Sequence, residues 1–340
     1  MFVDPGLDPL LLARVVRDGW AVEVTDVVFI PSLDMRAASY EARGPAGRWF
    51  LKVRLGSGAT PIDGPLAVAR GLVDRGIANV VGPLATRRGA LFERVDDERS
   101  CELYPFVDGR PAMRASMTAD QWRTFGRTLR AVHDCPLDPR ILERVPEERL
   151  DLPFEAGVRA ALAAAEAGVA TSPSQRRLVE ILNERRPRIE AMLARANDLA
   201  NGLRARPSER VLCHADIHLA NILVSDDGAV HLIDWDGPIR APRERDLLFV
   251  IGSRVAGRVA PADEDAFFEG YGRVDVDPEA LIYYRYERVL GDIGESGRSV
   301  FEQPDLSELD RAREVDLAED QFAPGNVLET AEEVVLPWDR

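Results

Sequence analysis

A chain of 340 residues and 37.6 kDa, 46% hydrophobic and 30% charged, can bury a substantial core as one large domain or as two lobes flanking a cleft, and its composition excludes disordered and fibrous classes. The formal net charge of −15 repels nucleic acid and anionic membrane and would attract a cationic small molecule. Three cysteines, Cys101, Cys135 and Cys213, with no CxxC spacing, exclude a disulfide framework and a thiolate zinc site and fit a reducing cytoplasm.

The opening MFVDPGLDPLLLARVV carries acids and prolines where a secretion signal needs a basic region. No run approaches the ~20 apolar residues that span a bilayer, so a soluble, unprocessed, cytoplasmic protein is expected. Residues 7–20 have apolar positions at helical spacing (Leu7, Leu10, Leu11, Val15). Strand-like runs follow at 22–30, 37–42 and 49–54. The tract GSGATP at 56–61 has too few glycines for a phosphate loop and reads as a turn, and residues 66–74 form a helix ending at Gly76. Two short strands are expected at 80–84 and 90–94. They lead to CELYPFVDGRP, whose prolines and glycine mark the connection between lobes.

Beyond that point the pattern turns helical. Thr118 and Gln121 form a capping-box signature ahead of QWRTFGRTLRAVH, and an Arg/Glu/Ala/Leu-rich stretch at 174–205 reads as one helix or a pair. Short strands return between 210 and 250, with Asp226-Asp227-Gly228 as a hairpin turn joining ANILV to AVHLID. Two further helical segments follow, ADEDAFFEGYG and PEALIYYRYERVLGDI, and the acidic stretch after residue 305 is expected to be peripheral. The fold class is α+β. Two lobes are expected, an antiparallel-sheet N-lobe at 1–104 and a larger, mainly helical C-lobe at 105–340.

The strongest chemical signal is CHADIHLAN followed by HLIDWD. Asp216 and Asn221 lie five apart on a loop, and Asp234 follows a hairpin that folds back toward them. Phosphoryl transfer needs Mg²⁺ bridging the phosphates and a carboxylate to orient and deprotonate the attacking hydroxyl. Asp216 is the candidate base, Asn221 and Asp234 the candidate metal ligands, at the D-x-x-x-x-N spacing of a kinase catalytic loop. Either motif alone is as readily a polar turn or a strand cap; the two in order, joined by a hairpin, are not. His214 and His218 shape this loop, since no HExxH or further histidine cluster makes them metal ligands, and Cys213 is a small core residue. No GxxxxGK[ST] and no G-x-S-x-G occur, which excludes a P-loop enzyme and a serine hydrolase of the elbow type.

VLCHADIHLANILV with VHLIDWDGPIRAPRERDLLFV resembles the aminoglycoside-phosphotransferase and choline-kinase superfamily, which shares the protein-kinase fold. The spectinomycin phosphotransferases are the subfamily most resembled, through YPFV, ADQWRTFGRTLRAVH, FFEGYG and YYRYERVLGDI. The resemblance implies an ATP-dependent (GTP is the alternative), Mg²⁺-dependent O-phosphotransferase acting on a cationic aminocyclitol, with spectinomycin first and antibiotic resistance as the role. It sets Lys52, the only lysine in the chain, on the α- and β-phosphates. Such a lysine pairs with a helix carboxylate in related kinases. The next helix here has no well-placed glutamate, so Asp63 is the preferred partner and Asp74 the alternative. The loop PSLDMRAAS has no glycine, and a phosphate cradle there would use Ser32, Ser39 and backbone amides.

Tyr104, Phe106 and Val107 of YPFV resemble the hinge that reads adenine. Asp236, Glu269, Glu287, Asp292 and Glu295 are the acids available to a cationic acceptor, each of them as readily solvated or paired with Arg285 or Arg288. Two other functions fit the same residues: a metabolic kinase for an amino sugar, choline or a related alcohol, and a noncatalytic kinase-like binding protein. The expected partners are a nucleotide triphosphate and a small cation, with no nucleic acid and no membrane, in a monomer or homodimer.

Overall fold

The computed structural model describes residues 3–32, 34, 36–55, 63–168, 170–304, 306–328, 330–336 and 338; the GSGATP tract lies outside them. The chain begins with α1 (Pro9–Trp20), β1 (Asp26–Ile30), β2 (Ala37–Gly44), β3 (Gly47–Arg54), α2 (Asp63–Asp74), β4 (Glu93–Arg94), β5 (Ser100–Pro105) and β6 (Gly109–Pro111). Helices α3 (Ala119–His133), α4 (Pro139–Leu142), α5 (Glu155–Ala167) and α6 (Pro173–Arg204) follow, then β7 (Val211–Cys213), β8 (Ile222–Ser225), β9 (Val230–Leu232) and β10 (Ile239–Ala241). The chain closes with α7 (Glu244–Leu247), α8 (Pro261–Tyr271), α9 (Pro278–Glu302) and α10 (Glu308–Asp320).

Two compact units account for these elements. The first comprises Met1–Pro146, Leu212–Arg240 and Ala266–Gly272; the second comprises Glu147–Val211, Ala241–Asp265 and Arg273–Arg340. Residues 105–146 and 212–240 thus group with the N-terminal sheet, whereas the sequence sets its boundary at 104/105. The physical link is β6, which pairs with β8 in register Gly109↔Ser225, next to the β8–β9 hairpin.

In the first unit an antiparallel sheet runs in the order β1-β2-β3-β5-β4. Strand alternation splits its residues between two faces. Ala38, Tyr40, Leu51, Val53, Cys101 and Leu103 form one face and bury against Leu12, Val16 and Trp20 of α1. That helix starts where Asp8 accepts the Leu10 N–H and Pro9 presets the first turn. The other face carries Ser39, Lys52 and Glu102 side by side, in register across β2, β3 and β5, with Arg54 two residues beyond Lys52. The expected strand at 80–84 does not form. Val80 makes a single bridge to Leu232, and the following Gly82-Pro83 cannot continue a ladder because proline has no N–H to donate.

The capping box at α3 is formed: the Gln121 N–H donates to Thr118 Oγ1 and the Thr118 N–H donates to Gln121 Oε1. Helix α3 then meets the end of α8 at close range, with the Phe125 and Phe267 rings 5.0 Å apart. A Cβ at Gly126 would lie 2.1 Å from the Phe267 carbonyl oxygen, and one at Gly270 would lie 2.0 Å from that of Arg123. Gly126→Ala is therefore expected to destabilise the protein by about 2 kcal/mol, since neither backbone can yield without moving a helix; urea denaturation measures it, and an unchanged midpoint would refute it.

In the second unit the stretch at 174–205 is one helix, α6, despite Pro187, because Leu178, Leu182, Ile189, Leu193 and Ala196 bury a continuous stripe on both sides of the proline. Helices α5 and α9 approach closely where Gly157 faces Gly294. The segment after residue 305 corrects the expectation of a peripheral tail. Helix α10 buries Val315 and Ala318, and Phe322, Val327, Leu328 and Ala331 are buried beyond it. Arg285 holds this segment: its Nη1 donates to the carbonyls of Thr330, Ala331 and Glu333, and its Nη2 to that of Ile251. Burial pulls the Arg285 pKa down to about 10.

Candidate active site

The polar face of the sheet carries a dense set of charges. Lys52 is 6% exposed, and its Nζ donates to Asp236 Oδ2 at 2.7 Å and Asp234 Oδ1 at 2.9 Å, with Asp34 Oδ2 at 3.4 Å. Arg54 makes a two-pronged pair with Asp236, Nη1 to Oδ2 at 2.7 Å and Nη2 to Oδ1 at 2.6 Å, while its Nε donates to Glu102 Oε1 at 2.9 Å. Burial opposes the charged form of Lys52, yet Asp234 and Asp236 outweigh it and raise the ammonium pKa above its ordinary value. Burial also pushes up Asp236, but Arg54 and Lys52 reverse the effect and hold it well below the carboxylate range. Glu102 ends above its ordinary value, because it is fully buried and the terminal nitrogens of Arg54 are spent on Asp236.

Four carboxylates (Asp34, Asp234, Asp236, Glu102) meet two cations (Lys52, Arg54), a formal excess of two negative charges carried on hard oxygen donors. That donor set and charge excess suit a divalent cation of the Mg²⁺ type and exclude a soft metal.

The loop between β7 and β8 is fastened to the end of β9 through His214. This histidine is fully buried, packs against Trp235 with ring centroids 4.4 Å apart and the ring planes tilted by 53°, and contacts the Ile233 carbonyl through Nε2 at 2.9 Å. Its Nδ1 accepts the Asp216 N–H at 3.3 Å, so the proton is assigned to Nε2. Asn221 donates from Nδ2 to the Asp216 carbonyl at 2.8 Å, which directs its Oδ1 elsewhere, and the Ile233 N–H returns to the Asn221 carbonyl at 3.0 Å. His218 Nε2 lies 3.6 Å from Asp216 Oδ1. Ala215 and Asp234 both adopt left-handed backbone, at φ of +70° and +63°, a strained conformation for residues other than glycine that concentrates at functional sites.

Lys52 pairs with Asp34, Asp234 and Asp236 rather than with the expected helix acids. Asp63 begins α2, and Asp74 is tied to Arg70 in the last turn of the same helix. Ser32 lies in the β1–β2 connection, and Ser39 stands directly opposite Lys52 on β2. Tyr104 is the penultimate residue of β5, its ring edge-on to Phe50 with 6.2 Å between centroids. Phe106 and Val107 line a cavity of about 700 Å³ whose other walls include Val73 of α2, Val80–Gly82 and the Ser225–Asp227 turn.

Of the acids offered for a cationic acceptor, Asp236 is committed to Lys52 and Arg54. Glu287 is a correction: it is buried within the second unit and ion-paired to Arg245, which also binds Glu148. Glu269, Asp292 and Glu295 pair with Arg123, Arg288 and Arg298, so each meets a nearby arginine. Arg285, expected as such a partner, serves backbone carbonyls instead.

Asp34, Arg54 and Glu102 were missed in the sequence. Glu102 had a readable signal, a carboxylate between Cys101 and Leu103 in an apolar strand, where alternation sets it beside Lys52. Residues 31–283 match the model of the phosphotransferase enzyme family, well over half of the chain. The chain belongs to that family.

Its solved relatives agree with the assignment. A spectinomycin phosphotransferase in complex with ADP and spectinomycin is 26% identical over 96% of this chain and 98% of that one, with a TM-score of 0.85. The AMP-bound complex of a spectinomycin phosphotransferase is 27% identical over 95% and 98%, at 0.82. The choline kinase LicA from Streptococcus pneumoniae shares the fold at 15% identity over 94% and 98%, with a TM-score of 0.59. No curated protein sequence matches the chain. The protein is thus a phosphotransferase of the small-molecule kinase type with an alcohol group as acceptor, on a kinase-like fold with an N-terminal antiparallel sheet and a helical C-terminal part. Among the described residues, no helix is long and apolar enough to cross a membrane.

Proposed function

We propose that this phosphotransferase moves the γ-phosphoryl group of ATP onto a hydroxyl of a cationic aminocyclitol antibiotic, with spectinomycin as the first candidate. The observation that carries the reading is the meeting of Lys52 with Asp234 and Asp236 across more than 180 residues of chain, beside a loop that His214 fastens in place. The likeness to a spectinomycin phosphotransferase over 96% of the chain supports the substrate.

Asp216 accepts the proton of the attacking hydroxyl, and Lys52 binds the α- and β-phosphates. Residues 104–107 face the adenine. Asn221, through Oδ1, and Asp234 would hold Mg²⁺, which when bound neutralises charge on the phosphates. Residues 1–104 serve the nucleotide in this scheme, and 105–340 the catalytic loop, the metal and the acceptor.

Asp34 lies against the ammonium that the phosphates must engage, so nucleotide and carboxylate compete for one cation. Asp34→Asn is expected to tighten ADP binding by about fivefold, the size of one close like-charge contact near the surface. Calorimetric titration reads it, and weaker binding would show that Asp34 serves the nucleotide rather than opposing it.

The function is tested by Mg²⁺-dependent ADP release from ATP with and without spectinomycin, alongside Asp216→Ala as the control for contaminating kinases. Turnover that requires spectinomycin and vanishes in the variant supports both chemistry and substrate. Turnover with choline or another amino alcohol instead would make the protein a metabolic kinase, and nucleotide binding without any acceptor would make it a binding protein.

A further inference from the structure

Lys52 is held by carboxylates of the site itself, and one of them, Asp236, is shared with Arg54. When Lys52 turns to a phosphate it abandons Asp234 and Asp236 together. Leaving a half-buried carboxylate without a cation is costly, so nucleotide binding would be opposed unless another cation stayed behind.

Arg54 is built for that task. It lies on the same strand and the same sheet face as Lys52, two residues on, and its two terminal nitrogens take both oxygens of Asp236. Its Nε is fixed from the far side by Glu102, which is fully buried. Anchored at both ends, Arg54 has no reason to follow Lys52. Its positive charge also pushes against the Lys52 ammonium.

We propose that Arg54, braced by Glu102, is a positioning residue that keeps Asp236 paired while Lys52 leaves it for the nucleotide phosphates. The inference rests on the phosphotransferase reading above. Arg54 acts through Asp236 and Lys52, not by touching the nucleotide.

The test uses metal-free ADP as the probe, so that a metal-holding role of the acids does not enter. Arg54→Met combined with Glu102→Leu removes both partners and leaves an apolar pair in their place, which protects the fold. The dissociation constant for ADP is expected to rise about tenfold. Adding Asp236→Asn to that background should return most of the loss, while Asp236→Asn alone should change the constant by less than about threefold.

Equal effects of Asp236→Asn in the two backgrounds overturn the proposal, as does native affinity in the double variant. If the double variant does not fold, Arg54→Gln, which removes the charge from Asp236 and keeps a donor for Glu102, is measured in the same cycle with the same criterion.

A second readout is independent of affinity. Because Lys52 is the only lysine, ¹⁵N-labelled lysine gives one side-chain ammonium resonance. Saturating ADP should shift it in the native protein, and an unmoved resonance overturns the proposal. A native protein that does not bind ADP at all would defeat the phosphotransferase reading, and the inference with it; ADP binding with additive variants would defeat the inference alone.

Discussion

Asp216→Asn is expected to lower kcat by about 10³ while ADP affinity stays within about twofold of native, the loss typical of removing a positioned proton acceptor. The expectation is clean because the loop does not depend on the carboxylate. His214 grips the backbone N–H of Asp216, and Asn221 grips its backbone carbonyl, so both contacts survive a change of side chain. The buried contact of His214 with Trp235 and its bond to the Ile233 carbonyl fix the loop to the end of β9 from outside the residue altogether.

Asparagine keeps the size and one acceptor oxygen of aspartate and removes its charge and its ability to take a proton. Melting temperature and ADP binding should therefore report a native scaffold while turnover collapses. Activity within about tenfold of native would remove Asp216 from the role of base, because a general base contributes at least about 10²-fold.

The elements legible in the sequence were those with strong periodicity or explicit punctuation. The capping box at Thr118, the hairpin at Asp226–Gly228 and the apolar spacing of α1 are local signals, and local signals survive folding. The strand expected at 80–84 failed where Pro83 removed a donor. The buried course of α10 was hidden because its acidic surface dominates the composition and few of its residues are buried, while the stretch at 330–333 beyond it is held through Arg285 on another helix.

The same division holds at the site. Asp216, Asn221 and Asp234 could be singled out because their spacing is contiguous in the chain. The partner of Lys52 could not, because it is chosen by convergence of β3 with the segment after β9, and helix acids were the nearest candidates in sequence. Glu287 was offered as a substrate contact because it is an acid of a helical segment, yet packing turns it inward to Arg245. A charge pattern gives residue type, and only packing decides which charges meet.

Lys52→Met is expected to reduce kcat/KM for the nucleotide by about 10² to 10³, and Lys52→Arg to restore little of it. The ammonium is nearly buried and has one donor for each of three carboxylates, at 2.7, 2.9 and 3.4 Å. A planar guanidinium is longer and wider, and Arg54 already fills the adjoining position with its own fork on Asp236. Under the proposed roles the two cations are not exchangeable: one moves to the phosphates and the other stays.

Stability should fall far less than activity in Lys52→Met. Asp236 keeps Arg54, and Asp234 has a side chain 38% exposed, so the cost of the lost ammonium is discounted by solvent to about 1 to 2 kcal/mol. Thermal denaturation beside nucleotide kinetics separates the two effects. A protein that loses its fold in step with its activity would make Lys52 chiefly a structural counter-ion. A stable protein that no longer binds ADP would assign the lysine to the phosphates.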